Sequence, residues 1–193
     1  FCAALSGGWC TAHISFAEPR VTYNAYGMPG LVDMPSAQSA PDAELSFSVS
    51  QSGKSLRNTL TFQIAPRLTG AFRYSSIERP TQTLYDRSFD LRYRLLDETQ
   101  LRPAVAVGLQ DFIGTGVYSG EYVAASKTFG PVVATAGIGW GRLGSHNSFD
   151  NPLGLISSRF DTRDAGFTGT GGASNRRAGF AVQRPFLPAL LGQ

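Results

Sequence analysis

Residues 88–112 read SFDLRYRLLDETQLRPAVAVGLQDF, and the way they alternate decides the fold class. Phe89, Leu91, Tyr93 and Leu95 fall on one side of the chain, and Ser88, Asp90, Arg92 and Arg94 on the other. Successive side chains of a strand point to opposite faces, so this is a strand with one apolar and one charged face. After the polar stretch DETQLR the pattern resumes, with Val105, Val107 and Leu109 opposing Ala104, Ala106, Gly108 and Gln110. Two such runs joined by a polar turn predict an antiparallel hairpin. The open question is what its apolar face meets: a second sheet, a layer of helices, or lipid.

Composition narrows the choice. The 193 residues are 42% hydrophobic but only 16% charged, below the roughly 25% charged usual for soluble domains. Glycine is abundant at 22 residues, and 13 Phe and 7 Tyr supply nearly all the aromatic content. That mixture suits many strands and turns better than helices. No apolar run reaches the ~18 residues of a transmembrane helix. A transmembrane barrel stays open, because each of its strands carries only about ten residues of alternating character. The formal charge is +3, but Lys and Arg are scattered with no basic stripe among aromatics, so nucleic acid is not an expected partner. Cys2 and Cys10 both lie in the first ten residues, which argues against a disulfide scaffold or a cysteine metal site.

Residues 1–17 are small and apolar without strand alternation, and they read as the remnant of a secretory signal peptide ending at Ser15 and Ala17. The chain starts at Phe1, so a charged leading region is expected to precede it. Cys10 invites a lipid-anchor reading, but bulky Trp9 stands where a small residue is expected. Residues 18–43 are turn-rich, with Pro29, Pro35 and Pro41 excluding a central strand or a long helix. Residues 44–143 carry the alternation. Leu45, Phe47 and Val49 oppose Ser46, Ser48 and Ser50; Leu60, Phe62 and Ile64 oppose Thr59, Thr61 and Gln63; Phe72 and Tyr74 oppose Arg73 and Ser75. A polar loop is expected over 78–87 and a glycine-bearing loop over 112–120. The strand 121–129 has mixed faces, because Glu121 and Lys127 share a side with Val123 and Ala125. In the strand 132–142, Gly137, Gly139 and Gly141 leave one face open, for curvature or for a plug, and residues 26–37 are the candidate plug. Residues 144–193 lose the pattern and read as a long loop and an irregular tail.

Seven strands, mostly of eight to eleven residues, exceed the five or six usual in soluble sheets and match the nine to eleven of a tilted bilayer-crossing strand. Loop lengths agree with a barrel. With the N-terminus periplasmic, the turns at Pro66-Arg67, DETQLR and Gly130-Pro131 are short, and of the opposite loops only QSGK (51–54) is short as well. The expectation is an all-β antiparallel meander of an outer-membrane β-barrel, incomplete at about seven to eight strands. The rival is a soluble periplasmic or secreted β-sandwich that binds carbohydrate, since alternation alone does not separate the two.

The stretches NAYGMPGLVDMPSA (24–37), SFDLRYRLLDE (88–98), AVGLQDFIGTGVYSGEYVAASKTFG (106–130) and GIGWGRLGS (137–145) resemble the YjbH-like family of Gram-negative outer-membrane proteins linked to exopolysaccharide production. The resemblance covers roughly residues 24–145. It implies a β-rich envelope protein, in some members a lipoprotein, and it implies that this chain is the N-terminal part of a larger barrel. It brings no catalytic residues.

The inventory of side chains supports no enzyme. Past the leader the only histidine is His146, in a glycine-rich loop near Asp150 and Asp161, with no G-x-S-x-G motif to supply a nucleophile. An outer-membrane hydrolase is therefore not favoured. One histidine and no cysteine leave little for a metal, and no cofactor is expected. The charged residues assigned to the lumen are Arg73, Asp90, Arg92, Arg94, Asp111 and Glu121. They could contact an anionic exopolysaccharide or set pore selectivity, but cross-strand Arg/Asp pairs that fill a narrow lumen explain them with no ligand, and that reading is preferred. The expected partners are outer-membrane lipid, an anionic exopolysaccharide and other envelope export proteins.

Overall fold

The computed structural model describes residues 21–144, 150–160 and 179–183. The leader with both cysteines, His146, Asp161 and most of the tail lie outside the described residues.

The described chain is all-β apart from two short 3-10 turns, Pro152–Leu155 and Ser158–Phe160. A small hairpin comes first, β1 (Gly30–Leu31) with β2 (Met34–Pro35). The remaining strands form one antiparallel sheet in chain order: β3 (Leu45–Ser52), β4 (Ser55–Ala65), β5 (Leu68–Glu78), β6 (Thr83–Leu96), β7 (Ala104–Gly114), β8 (Gly120–Phe129), β9 (Val132–Gly141) and β10 (Gly179–Gln183). Each pairs with the next, and the sheet curls into a half-barrel. Among the described residues, β3 and β10 do not pair with each other, so this is an incomplete barrel meander, as the strand lengths and alternation together predict.

Three boundaries differ from expectation. The loop over 78–87 shrinks to residues 79–82, because Thr83–Arg87 pair with Tyr74–Glu78 and lengthen β6 to 14 residues. That segment hides its strand character because Asp86 is the inward residue and Tyr85 and Arg87 the outward ones, so no apolar face shows. With it, the contrast between short turns and long loops weakens at one more position. The tail also contributes a strand, β10, which pairs with Thr135–Gly139 of β9. Finally, β7 continues to Gly114, so the glycine-bearing loop is residues 115–119.

The polarity of the sheet is reversed relative to a water-soluble fold. Thr59, Thr61, Gln63, Thr69, Arg73, Ser75, Asp86, Ser88, Asp90 and Arg92 are buried on the inner face. Leu45, Phe47, Val49, Leu60, Phe62, Phe72, Phe89 and Tyr93 are exposed on the outer one, Phe47 at 67%. Among the described residues, Ala37, Ala104 and Ala106 form a small cluster of buried apolar side chains inside. A β-sandwich would show the opposite arrangement, with apolar side chains interdigitated between two sheets. No helix among the described residues is long and apolar enough to cross a membrane, which says nothing about strands.

Residues 22–40 lie across this polar inner face. Asn24 nucleates the segment, its Oδ1 accepting from the backbone N–H of Tyr26 at 3.0 Å and of Met28 at 3.1 Å. Gly27 follows at φ +78°, and a Cβ there would stand 2.4 Å from Thr59 Cγ2. The backbone can press onto the sheet at that point because the residue is glycine. Across the sheet, Tyr122 lies over its cross-strand partner Gly108, and a Cβ on Gly108 would come within 2.2 Å of the ring. Gly108→Ala should therefore destabilise the fold by about 1–3 kcal/mol through overpacking, read from denaturant midpoints against the parent chain.

Candidate functional site

The site is the contact between the inner face and the segment 22–40. Adjacent strands supply it in register: Arg73 on β5 stands opposite Ser88 on β6, and Thr69 opposite Arg92. Arg73 is fully buried and ion-paired with Asp90, and it also donates to Ser88 Oγ at 3.1 Å. Its Nε and a terminal nitrogen donate to the carbonyl of Tyr26 at 3.2 and 3.0 Å. Arg92 is likewise fully buried, and it donates to the carbonyl of Ser36 at 3.1 Å, to the carbonyl of Gln38 and to Thr69 Oγ1 at 3.2 Å. Taking a guanidinium out of water costs several kcal/mol unless its donors are satisfied, and here the strap's own backbone carbonyls supply much of that satisfaction.

Asp90 also accepts at its other oxygen from the backbone N–H of Asp111 at 2.8 Å. This fixes a bulge: Leu91 pairs with Leu109 and Phe89 with Ile113, so Gln110, Asp111 and Phe112 together face Asp90. Asp111 stands at φ +50°, and its carboxylate accepts from the backbone N–H of Tyr118 at 2.9 Å. The loop after β7 is thereby drawn inward, and the Tyr118 hydroxyl bonds Ser55 Oγ at 2.8 Å.

Tyr26 is the strap's centre. Its ring meets Tyr118 edge-on at 5.3 Å, and three guanidiniums approach it: Arg142 at 3.8 Å, Arg57 at 4.6 Å and Arg73 at 5.1 Å. Burial pushes the Tyr26 phenol above its ordinary value, and the Arg142 and Arg57 charges offset this only in part. The ring thus stays neutral and offers its π face to the cations. Arg142 also reaches Asp33 at 3.2 Å and Gln110 Oε1 at 3.2 Å, tying down the far end of the hairpin.

Of the residues assigned to the lumen by sequence, Arg73, Asp90, Arg92 and Asp111 come together in this contact. Arg94 is at the rim, paired with Asp97 at 3.0 Å. Glu121 is a correction. It pairs across the sheet with Leu109 and Trp140, hence on the outer face, and it is buried because Asn151 of the following segment donates to it at 2.9 Å. Lys127, the other residue that blurred this strand, pairs with Glu98 of the turn after β6. Arg57, Arg142, Tyr26 and Tyr118 were missed. Arg57 shares the inward phase of Thr59 and Thr61, a signal that lengthening β4 by two residues would have exposed. The strap seats Met34 and Pro35 beside Gly137, Gly139 and Leu143, whereas Val32 at its tip is exposed. Among the described residues, no three of His, Cys, Asp and Glu come together as a metal site.

The comparisons with known proteins agree with one another. Residues 22–186 match the family model described as exopolysaccharide biosynthesis protein YbjH. The chain belongs to the YjbH exopolysaccharide biosynthesis family. It is also 34% identical over 185 residues to the uncharacterized lipoprotein YjbH of Escherichia coli strain K12, covering 86% of this chain. The chain spans 26% of that relative's length. No solved structure matches. The YjbH-family match takes in the strap, the arginine-bearing strands and β10 together.

Arg73→Met should cost about 3–5 kcal/mol, because it leaves Asp90 as an uncompensated buried charge. Replacing both Arg73 and Asp90 by apolar residues of similar size should cost less than Arg73→Met alone. Unfolding midpoints of the three variants check the order.

Proposed function

We propose that this chain is a non-catalytic part of an outer-membrane β-barrel that serves exopolysaccharide production or export, as conduit, scaffold or accessory. The observation that carries the reading is the reversed polarity of the sheet. Each large apolar side chain left in water forfeits up to ~1.5–3 kcal/mol of burial, and β3 to β6 leave many such side chains on one face. Lipid removes that cost, while the polar side is satisfied internally by the strap. Strand length supports the same reading. From Arg87 on β6 to Asp97, the residue that follows its end, is ten residues, about 33 Å of extended chain, or ~25 Å of height at a typical tilt, which is the height of an outer-membrane apolar band.

Family membership supports the link to exopolysaccharide. The relative's description as a lipoprotein supports a Gram-negative envelope location. Outer-membrane lipid is the proposed environment, and an anionic exopolysaccharide and other envelope export proteins are the proposed partners. Arg73 and Arg92 give no support to direct polysaccharide contact, since their donors are engaged with the strap, with Asp90 and with neighbouring hydroxyls.

Membrane fractionation tests this. The chain should stay with the membrane through an alkaline carbonate wash and migrate anomalously on gels when unheated; the rival carbohydrate-binding sandwich would wash off and migrate normally. Leu91→Arg, in the middle of the outer face, should cost about 2–4 kcal/mol in lipid. Leu101→Arg, in the exposed turn after β6, should stay within about 0.5 kcal/mol of the parent. Equal effects of the two substitutions would count against the membrane reading.

A further inference from the structure

The two ends of the outer apolar band are built differently. At the end near the turn after β6, the strand cations have carboxylate partners, Arg67 and Arg94 sharing Asp97 and Lys127 pairing with Glu98, while Arg102 is exposed in the turn itself. At the other end stands Arg87, exposed and outward-facing, with no carboxylate of the described residues within ion-pair distance. It is in register with Tyr74 of β5, which is in register with Asn58 of β4. Tyr74 stacks with Tyr85 at 6.1 Å and an interplanar angle of 20°, beside the arginine. Two residues inward along each strand, the outer face becomes apolar at Leu60, Phe72 and Phe89.

We propose that Arg87, with Tyr74, Tyr85 and Asn58, docks the phosphate of an anionic membrane lipid whose acyl chains lie on the Phe72 and Phe89 surface. The proposal rests on the membrane-spanning reading and adds a ligand class to it. A guanidinium presents a fork of donors that matches phosphate geometry, and the Asn58 side chain adds a donor one strand beyond Tyr74. Tyrosine rings with an apolar body and a polar tip favour the headgroup level of a bilayer. The height fits as well: Arg87 is one apolar-band height from the paired cations at Asp97, so it lies at the opposite interface, where an arginine is tolerated far better than at mid-membrane. Placed there without a carboxylate partner, its charge faces the headgroup layer.

The chain carrying the reporter Ile113→Trp, on the outer face in register with Phe89, is reconstituted into phosphatidylcholine vesicles containing phosphatidylglycerol, with bromine on the acyl chains of one lipid or the other. The chain without the reporter supplies the background from Trp9 and Trp140. Brominated phosphatidylglycerol should quench the reporter with about fivefold preference over brominated phosphatidylcholine, the scale expected of one basic residue at an anionic surface. Arg87→Gln should abolish the preference while the chain still resists carbonate. Equal quenching by both lipids, or a preference that survives Arg87→Gln, overturns the headgroup site and leaves the membrane reading standing. Failure of the parent chain to resist carbonate overturns both.

Discussion

A buried guanidinium is the constraint on which the rest of this structure depends. Arg73 and Arg92 project from adjacent strands into a space closed to water, and each needs acceptors on several sides. Asp90 meets one part of the need and the strap at residues 22–40 meets another, through the carbonyls of Tyr26, Ser36 and Gln38. The strap can serve because Asn24 and Gly27 turn its carbonyls toward the sheet, and Ser126 Oγ holds it further along by accepting from the N–H of Ala37 at 2.8 Å. Once the polar side of a two-faced sheet is the buried side, its apolar side is exposed. The outer surface of Leu, Phe, Val and Tyr is thus a consequence of how the inside is satisfied.

That dependence also explains the irregularities of the sheet. The bulge opposite Asp90 places the Asp111 amide on the free carboxylate oxygen, and the Asp111 side chain in turn holds Tyr118 against Tyr26. One aspartate therefore couples the arginine, the strand distortion and the inward fold of the loop. A bulge beside a functional contact is a device that re-aims side chains, and here it aims an amide.

The alternation along Leu45–Val49 and Ser88–Leu95 was enough to read strands, pairing and the membership of each face. It says which residues share a side but not which side is wet, so the choice between barrel and sandwich had to lean on strand length and loop pattern. Reading failed where identity and parity disagree. Thr83–Arg87 is a strand without an apolar face, and Glu121 is an outward carboxylate covered by Asn151, a tertiary contact that no local pattern encodes. The arginines of the inner face were legible as a cluster, whereas their use of backbone carbonyls as partners was not, because carbonyls carry no sequence signal.

The central claim is that the outer face meets lipid and the inner face meets the strap. Spin labels placed singly at Phe89, Leu91, Tyr93 and Leu95 on the outer face and at Ser75 and Ser88 on the inner one, in a chain with Cys2 and Cys10 replaced by serine and reconstituted in bilayers, test it most directly. Labels at Phe89, Leu91, Tyr93 and Leu95 should collide freely with dissolved oxygen from the lipid, and labels at the inward Ser88 and Ser75 with neither oxygen nor a water-soluble relaxant. Accessibility to the water-soluble relaxant at the four apolar positions, or no difference between the two faces, would contradict the account.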